Sequence, residues 1–213
     1  MPDAVVSPRL PAELSTIELD ELDDGETIEA VEVRGDVSGG DAEDVTLDGC
    51  RLVGLRLVGA HLARLRLRDC VLETCDLSGA VLDSTVWQRV ELRDCRLSGA
   101  VLPTASWRHV RLATCQAKAM ALRLANVERL LVEDSQLLAG DLHGTRLTDA
   151  VLTRCDLAGV DLSNVTLERV RFESCRLDDL KAAPRLAGAT IDSGSIIPVA
   201  MGLFASLGIT VDD

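Results

Sequence analysis

From Leu47 to Leu177 every fifth residue is a large apolar side chain, and Ala117 is the single lapse. Trp87, Trp107 and Phe172 stand in the series beside Leu and Val, and 27 units follow one another without insertion or deletion. A helix repeats its apolar face at 3.6 residues and a strand at 2, so a period of five belongs to neither. One unit is too short to bury its own apolar side chain. Such units become stable only when many of them stack into a continuous core.

A second series lies two residues before the first. It includes Val45, Cys50, Leu55, Ala60, Leu65, Cys70, Cys75 and Ala80 and continues to Cys175. Residues two apart on extended backbone point the same way. Each unit therefore sends one small and one large side chain inward, and three positions rich in Arg, Asp, Glu, Ser, Thr and Gly outward. Leu77-Ser78-Gly79-Ala80-Val81-Leu82 recurs twenty residues later as Leu97 to Leu102, and Trp87 and Trp107 are also twenty apart. Twenty residues are four units, which predicts a square coil with four faces per turn.

The units Cys75-Asp76-Leu77-Ser78-Gly79, Cys155-Asp156-Leu157-Ala158-Gly159 and Val160-Asp161-Leu162-Ser163-Asn164 resemble the pentapeptide-repeat consensus A(D/N)LXX. The resemblance covers roughly residues 45–182. It implies an all-β solenoid, a right-handed quadrilateral β-helix of about seven coils. At ~4.8 Å per coil that is a rod of roughly 32 Å. Within that family the chain resembles the quinolone-resistance members, the Qnr and MfpA types. Those are rods described as mimicking DNA, binding gyrase and protecting it from poisons. By that resemblance a type II topoisomerase is the candidate partner. The alternative is a cytoplasmic scaffold for an unrelated protein.

The ends depart from the period. Residues 1–44 carry 14 acidic residues against Arg9 and Arg34. Residues 1–27 are expected to be a mobile acidic arm and 28–44 an irregular first coil covering the open end. Residues 45–182 form the solenoid, and 183–213 a C-terminal helix and tail. Ile196, Val199, Ala200, Leu203, Phe204 and Leu207 follow the spacing of one helical face. Ser193 or Ser195 is the expected cap and Gly208 the expected stop. Ile209 and Val211 would form a short extended tail. In the Qnr and MfpA types a similarly placed helix forms a two-fold dimer. By resemblance Ile196, Ala200, Leu203, Phe204 and Leu207 become candidate interface residues of a homodimer.

Composition constrains the chemistry. All seven cysteines occupy the small inward position, where a free thiol behaves as a small hydrophobe. Their odd number and the lack of CxxC argue against disulfides and point to a reducing cytoplasm. No secretory leader or apolar run of membrane length is visible. Trp87 and Trp107, preceded by Thr85 and Ala105, are expected to fill the core rather than form a binding platform. His61, His109 and His143 all fall at outward positions. The best local cluster is Asp141, His143 and Asp161 on one face, where a solvated convex surface is expected because small-molecule sites are concave. No phosphate loop, nucleophile elbow or zinc motif occurs, so no enzyme, cofactor or metal is expected.

The net charge of −13 invites the DNA-mimic reading. However, residues 45–179 contain 18 Lys plus Arg and 18 Asp plus Glu, so the solenoid is neutral and the excess lies before it. The candidate partner-binding carboxylates are Asp83, Asp141 and Asp161 on one face and Asp20, Glu21, Asp23 and Asp24 in the arm. Arg66, Arg68, Arg89, Arg108 and Arg129 cluster on another face. Nucleic-acid binding through them is disfavoured by the overall charge and the lack of exposed aromatics.

Overall fold

The structure, a computed structural model, describes residues 4–210. It is a parallel β-solenoid, the right-handed quadrilateral β-helix expected, closed by a single C-terminal helix. Coil pairs with coil at the predicted offset. Trp107 lies opposite Trp87 and Val127, and Leu147 lies opposite Val127 and Leu167. The longest strands, such as Arg66–Glu73, Val86–Arg93 and Ser106–Ala113, stack as parallel neighbours.

The corners explain the period. In every unit from Leu47 to Leu177 the residue two after the large apolar side chain has positive φ, from Gly49 at 65° to Asp179 at 53°. Most of these corners are not glycine, and Thr74, Thr104 and Thr114 each hold 54° despite branching at Cβ. An L-residue is disfavoured there by roughly 1–2 kcal/mol. The corner persists because the backbone groups beside it bond to neighbouring coils, as in Leu57 N–H to Asp76 O at 2.7 Å and Leu77 N–H to Arg96 O at 2.7 Å. The Asp of the consensus shapes the same turn. Asp76, Asp141, Asp156 and Asp161 each accept the backbone N–H two residues on, at 2.8–3.0 Å.

The interior is a ladder of matched side chains. Leu52, Leu72, Leu92 and Leu112 are buried in one column, and Leu77 and Leu97 in another. Trp87 and Trp107 are buried and stacked, with ring centroids 4.5 Å apart and planes 7° from parallel. They fill the core, as expected. All seven cysteines are buried and unbridged, and their thiols donate to carbonyls of the adjacent coil, as Cys70 does to Leu47 O at 3.3 Å. Against the lowering effect of the Cys115 thiol, the Cys75 thiol and then burial push Cys95 up to about 12. Where Ala117 breaks the leucine column, Met120 occupies a position that holds alanine in the three coils below, and both are buried.

The coil count is about nine rather than seven. The additional turns come mainly from residues outside the strict period. Ser15–Leu19, within the segment expected to be a mobile arm, is a strand paired in register with Val31–Gly35. Thr27–Glu29 pairs with Thr46–Asp48, and Glu32 with Arg51. These coils are sixteen and nineteen residues long instead of twenty, so the five-residue count cannot detect them. Gly35 permits the short turn: at φ 124°, a Cβ there would stand 1.9 Å from the Leu19 carbonyl oxygen.

At the other end a helix spans Ile196–Ser206 and Gly208 follows it at φ 71°. Ser195, one of the two serines expected, is the N-cap residue of the helix, but its side chain makes no capping hydrogen bond. The Asp192 side chain accepts Ser195 N–H at 3.1 Å and starts a 3₁₀ turn, Ser193–Ser195, that leads into the helix. Asp192 also accepts the Ser174 backbone N–H, which ties the cap to the solenoid. Val199 is buried, and it lines a cleft with Leu203, Ala183, Leu186 and Ile191. Val211 of the expected tail lies outside the described residues, and Ile209 N–H turns back to Phe204 O at 2.9 Å.

Candidate interaction surfaces

The outer surface carries its charge in pairs that join consecutive coils. Asp69 binds Arg89 at 2.6 Å, Asp149 binds Arg169 at 2.6 Å and Asp134 binds Arg154 at 2.6 Å, each across a twenty-residue offset. Asp44 likewise engages Arg64, with the nearest contact at 2.8 Å, and Asp156 engages Arg176 at 3.2 Å. A larger network runs from Glu73 through Arg93, Glu91 and Arg111 to Glu133. The Arg89 guanidinium holds the Asp69 carboxyl below the usual carboxylate range, and the Arg154 guanidinium does the same for Asp134. The neutrality of the rod is therefore local, column by column.

The candidate carboxylates separate into two groups. Asp141 takes the His143 backbone N–H and the Arg123 guanidinium, so it serves the turn and an ion pair. Asp161 takes the Ser163 N–H, with Lys181 and His143 nearby, and its carboxyl is held low mainly by Ser163. Asp83 accepts from Ser84 Oγ at 3.0 Å and from Thr104 at 3.3 Å. In the first coils Asp20, Glu21, Asp23 and Asp24 are all exposed, and only Asp24 spends a carboxylate oxygen on another coil, the Glu43 N–H at 2.8 Å. Of the basic cluster, Arg89 and Arg129 have acidic partners, while Arg66 and Arg68 pair with Asp44 and Asp48 and Arg108 with Glu128. Among the described residues no three His, Cys, Asp or Glu side chains converge as metal ligands would, and this includes the Asp141–His143–Asp161 trio.

The C-terminal helix divides its apolar residues between two sides. Val199 and Leu203 face the capped end, whereas Ile196 is 56 % exposed, Phe204 39 % and Leu207 71 %. Ile197 and Met201 extend the exposed patch, and Ala200 is half-buried.

Residues 4–10 form a third surface feature. They lie along the rod across several coils. Val6 N–H donates to His109 Nδ1 at 3.1 Å and Arg9 N–H to Asp69 Oδ1 at 3.0 Å. Ala4 to Pro8 roof a cleft of about 300 Å³ whose floor includes Glu91, Arg111, Leu131 and Val151. Because Nδ1 accepts, the His109 proton resides on Nε2. Partial burial, then the nearby Arg129 and Arg108 charges, lower its pKa and favour that neutral form.

A profile of the family described as pentapeptide repeats matches the chain in eight copies, over residues 43–79, 75–106 and 141–179. The chain is a pentapeptide-repeat protein. Among solved structures, a trypsin-treated variant of QnrB1, a plasmid-mediated fluoroquinolone resistance protein, is 21 % identical with a TM-score of 0.39. That match covers 93 % of this chain and 98 % of that one. HetL, a pentapeptide repeat protein involved in heterocyst differentiation regulation in the cyanobacterium Nostoc, is 21 % identical with a TM-score of 0.32, covering 81 % and 92 %. These likenesses concern the fold alone. No curated protein sequence gives a significant match.

Two features of this pentapeptide-repeat protein escape a reading by fives. The coil-to-coil ion pairs become visible when the sequence is read at an offset of twenty, where Asp36–Arg56, Asp69–Arg89, Asp134–Arg154 and Asp149–Arg169 align. The segment across the coils has no such signal, since it is held through its backbone N–H groups, which every residue except proline carries. No helix among the described residues is long and apolar enough to cross a membrane.

Proposed function

We propose that this pentapeptide-repeat protein is a non-enzymatic protein-binding rod, a homodimer joined through its C-terminal helix, whose partner is a type II topoisomerase. The observation that carries the reading is the division of the surface. The shaft is convex with its charges paired, while the first coils present unpaired carboxylates at Asp20, Glu21 and Asp23 and the helix presents Ile196, Phe204 and Leu207. An acidic end attracts a basic DNA-binding groove. An exposed apolar patch beside a cap is the usual mark of a subunit contact. Two acidic ends held apart by a dimeric rod would occupy a DNA saddle and keep DNA from it.

The test is a supercoiling assay with purified gyrase, with and without a topoisomerase poison. Inhibition of supercoiling or protection from the poison at micromolar protein is expected, and the absence of both would refute the partner. Light scattering on wild type and Phe204→Asp tests the dimer. Wild type should scatter as a dimer and the variant as a monomer, and a monomeric wild type would refute the interface. The paired charge of the shaft favours a second reading, a scaffold for an unrelated cytoplasmic protein. In that case gyrase is unaffected, and reversing Asp20, Glu21, Asp23 and Asp24 changes the proteins retained in a pull-down.

A further inference from the structure

The lengthwise segment is a surface feature that neither the repeat nor the capping helix requires. An extended chain advances about 3.3 Å per residue, so the three residues from Val6 to Arg9 span about 10 Å. Asp69 and His109 are two coils apart, also about 10 Å at ~4.8 Å per coil. The match lets two N–H groups of an extended chain meet two side-chain acceptors on the rod at 3.0 and 3.1 Å. Arg89, on the coil between them, is turned to Asp69. The floor beside this line includes Leu131 and Val151, outward-facing apolar residues where much of the shaft carries charge. Val71 and Asp69 are buried although they lie on an outer face. The positive charge of Arg9 lies close enough to Asp69 to help hold its carboxyl low.

The segment fits this floor loosely. The two hydrogen bonds are its described direct ties to the rod, and Val6, Ser7 and Arg9 remain exposed. The cleft of about 300 Å³ beneath Ala4 to Pro8 is unfilled by its side chains. The strand backbone underneath is committed to neighbouring coils, through the parallel pairing of Val86–Arg93 with Ser106–Ala113 and of Ser106–Ala113 with Asn126–Glu133. The floor therefore offers only side chains, and any extended chain with donors three residues apart can use them.

We propose that this face is a docking groove for an extended peptide segment of a partner protein, and that residues 4–10 are its resident, displaceable occupant. The segment it takes resembles the occupant: two adjacent apolar residues over Leu131 and Val151, then a proline and a basic residue beside Asp69. The inference rests on the reading of the protein as a protein-binding rod and is independent of which protein the rod's ends engage.

The probe is a fluorescent peptide of residues 4–12, titrated by anisotropy into the full chain, into a variant lacking residues 4–10, and into a full-length Val5→Asp/Val6→Asp variant that loosens the occupant without deleting it. Circular dichroism confirms that each variant keeps the solenoid. Saturable binding to both variants, at least tenfold tighter than to the full chain, is expected. A peptide N-methylated at the Val6 and Arg9 positions, which lacks both donors, should bind at least tenfold more weakly. Equal binding to all three proteins, or binding to neither variant, overturns the proposal. So does a full-length dimer that disappears on removal of residues 4–10, because the groove would then belong to the N-terminal segment of a second copy. None of these outcomes depends on gyrase, so the failure of either proposal leaves the other standing.

Discussion

Ala117 and Met120 provide a quantitative test of how this core is packed. Ala117 interrupts a column that otherwise reads Leu77, Leu97, Leu137 and Leu157, and Met120 stands in a column that reads Ala60, Ala80, Ala100 and Gly140. Both line one interior void with Leu137, Gly140, Leu142, Leu157 and Val160, and that void is only about 10 Å³. By the same measure a single water needs roughly 10–15 Å³. Three added carbons therefore have nowhere to go while methionine is present. Ala117→Leu should destabilise by about 1–3 kcal/mol through overpacking. Met120→Ala alone should cost about 2–5 kcal/mol through the cavity it leaves. The double variant moves the volume from one column to the other and should cost less than about 1.5 kcal/mol. The implied coupling is at least about 1.5 kcal/mol and about 4 kcal/mol at mid-range. Urea unfolding followed by far-UV circular dichroism measures all four corners of the cycle. If the two single effects add to within about 0.5 kcal/mol, methionine does not occupy the space alanine leaves, and the reasoning fails.

Two buried threonines should respond with opposite signs. Thr85 is buried with its hydroxyl unpartnered, whereas Thr145 donates to the Leu122 carbonyl. Thr85→Val should stabilise by about 1 kcal/mol by removing an unsatisfied hydroxyl, raising the urea midpoint, and Thr145→Val should destabilise by a similar amount, lowering it. Equal signs would contradict the hydrogen-bond assignment. The occupant of the lengthwise groove should also respond to pH. Neutral His109 accepts the Val6 N–H, and protonation removes that acceptor. Because only the neutral ring can accept that N–H, the docked form binds fewer protons than the open one, and partial burial, then Arg129 and Arg108, hold the pKa below the ordinary value. Docking is then complete above about pH 6.5 and weakens as pH falls through and below that value. Arg129, Arg108, Arg89 and Glu128 surround the ring, and Asp69 stays ionised because its pKa is lowered. A dye on Ser7→Cys, the one exposed thiol beside seven buried ones, reports the change. His109→Gln keeps an acceptor that does not titrate, so it should flatten the response. An unchanged pH profile would exclude His109 as the sensor.

The solenoid was legible because its constraint is periodic. Each large residue fixes an inward position and each corner two residues later must take positive φ, so 27 units report the same geometry. Trp87, Trp107 and the cysteines were placed by that count alone. The first coils were not, because a sixteen-residue turn carries no five-residue register and Gly35 does what a corner residue does elsewhere. Ser195 caps the helix by position, but the side-chain capping bond belongs to Asp192 because a 3₁₀ turn intervenes before the helix. In the helix, Leu203 shares the apolar spacing of Phe204 and Leu207, and spacing cannot say that Leu203 faces the cap while its neighbours face outward.

The paired columns also bear on which acidic residues a partner could recruit. An exposed ion pair contributes about 0–1 kcal/mol, so a competing cation can take its carboxylate at little cost. Asp36, Asp44, Asp134 and Asp178 are in such pairs, each more than 40 % exposed at the side chain. Asp149 and Glu91 have side chains 5 % and 6 % exposed, so drawing them out would break ion pairs whose carboxylates are buried. A basic groove approaching the shaft thus meets a neutral surface from which some carboxylates can be drawn and others cannot. Under the proposed topoisomerase reading, DNA mimicry would not require net negative charge along the shaft. It would require that the exposed pairs exchange partners, while the unpaired carboxylates of the first coils make the initial contact. Reversing Asp36, Asp44 and Asp134 together should then weaken a basic partner, and Asp149→Asn should leave that affinity unchanged while lowering stability.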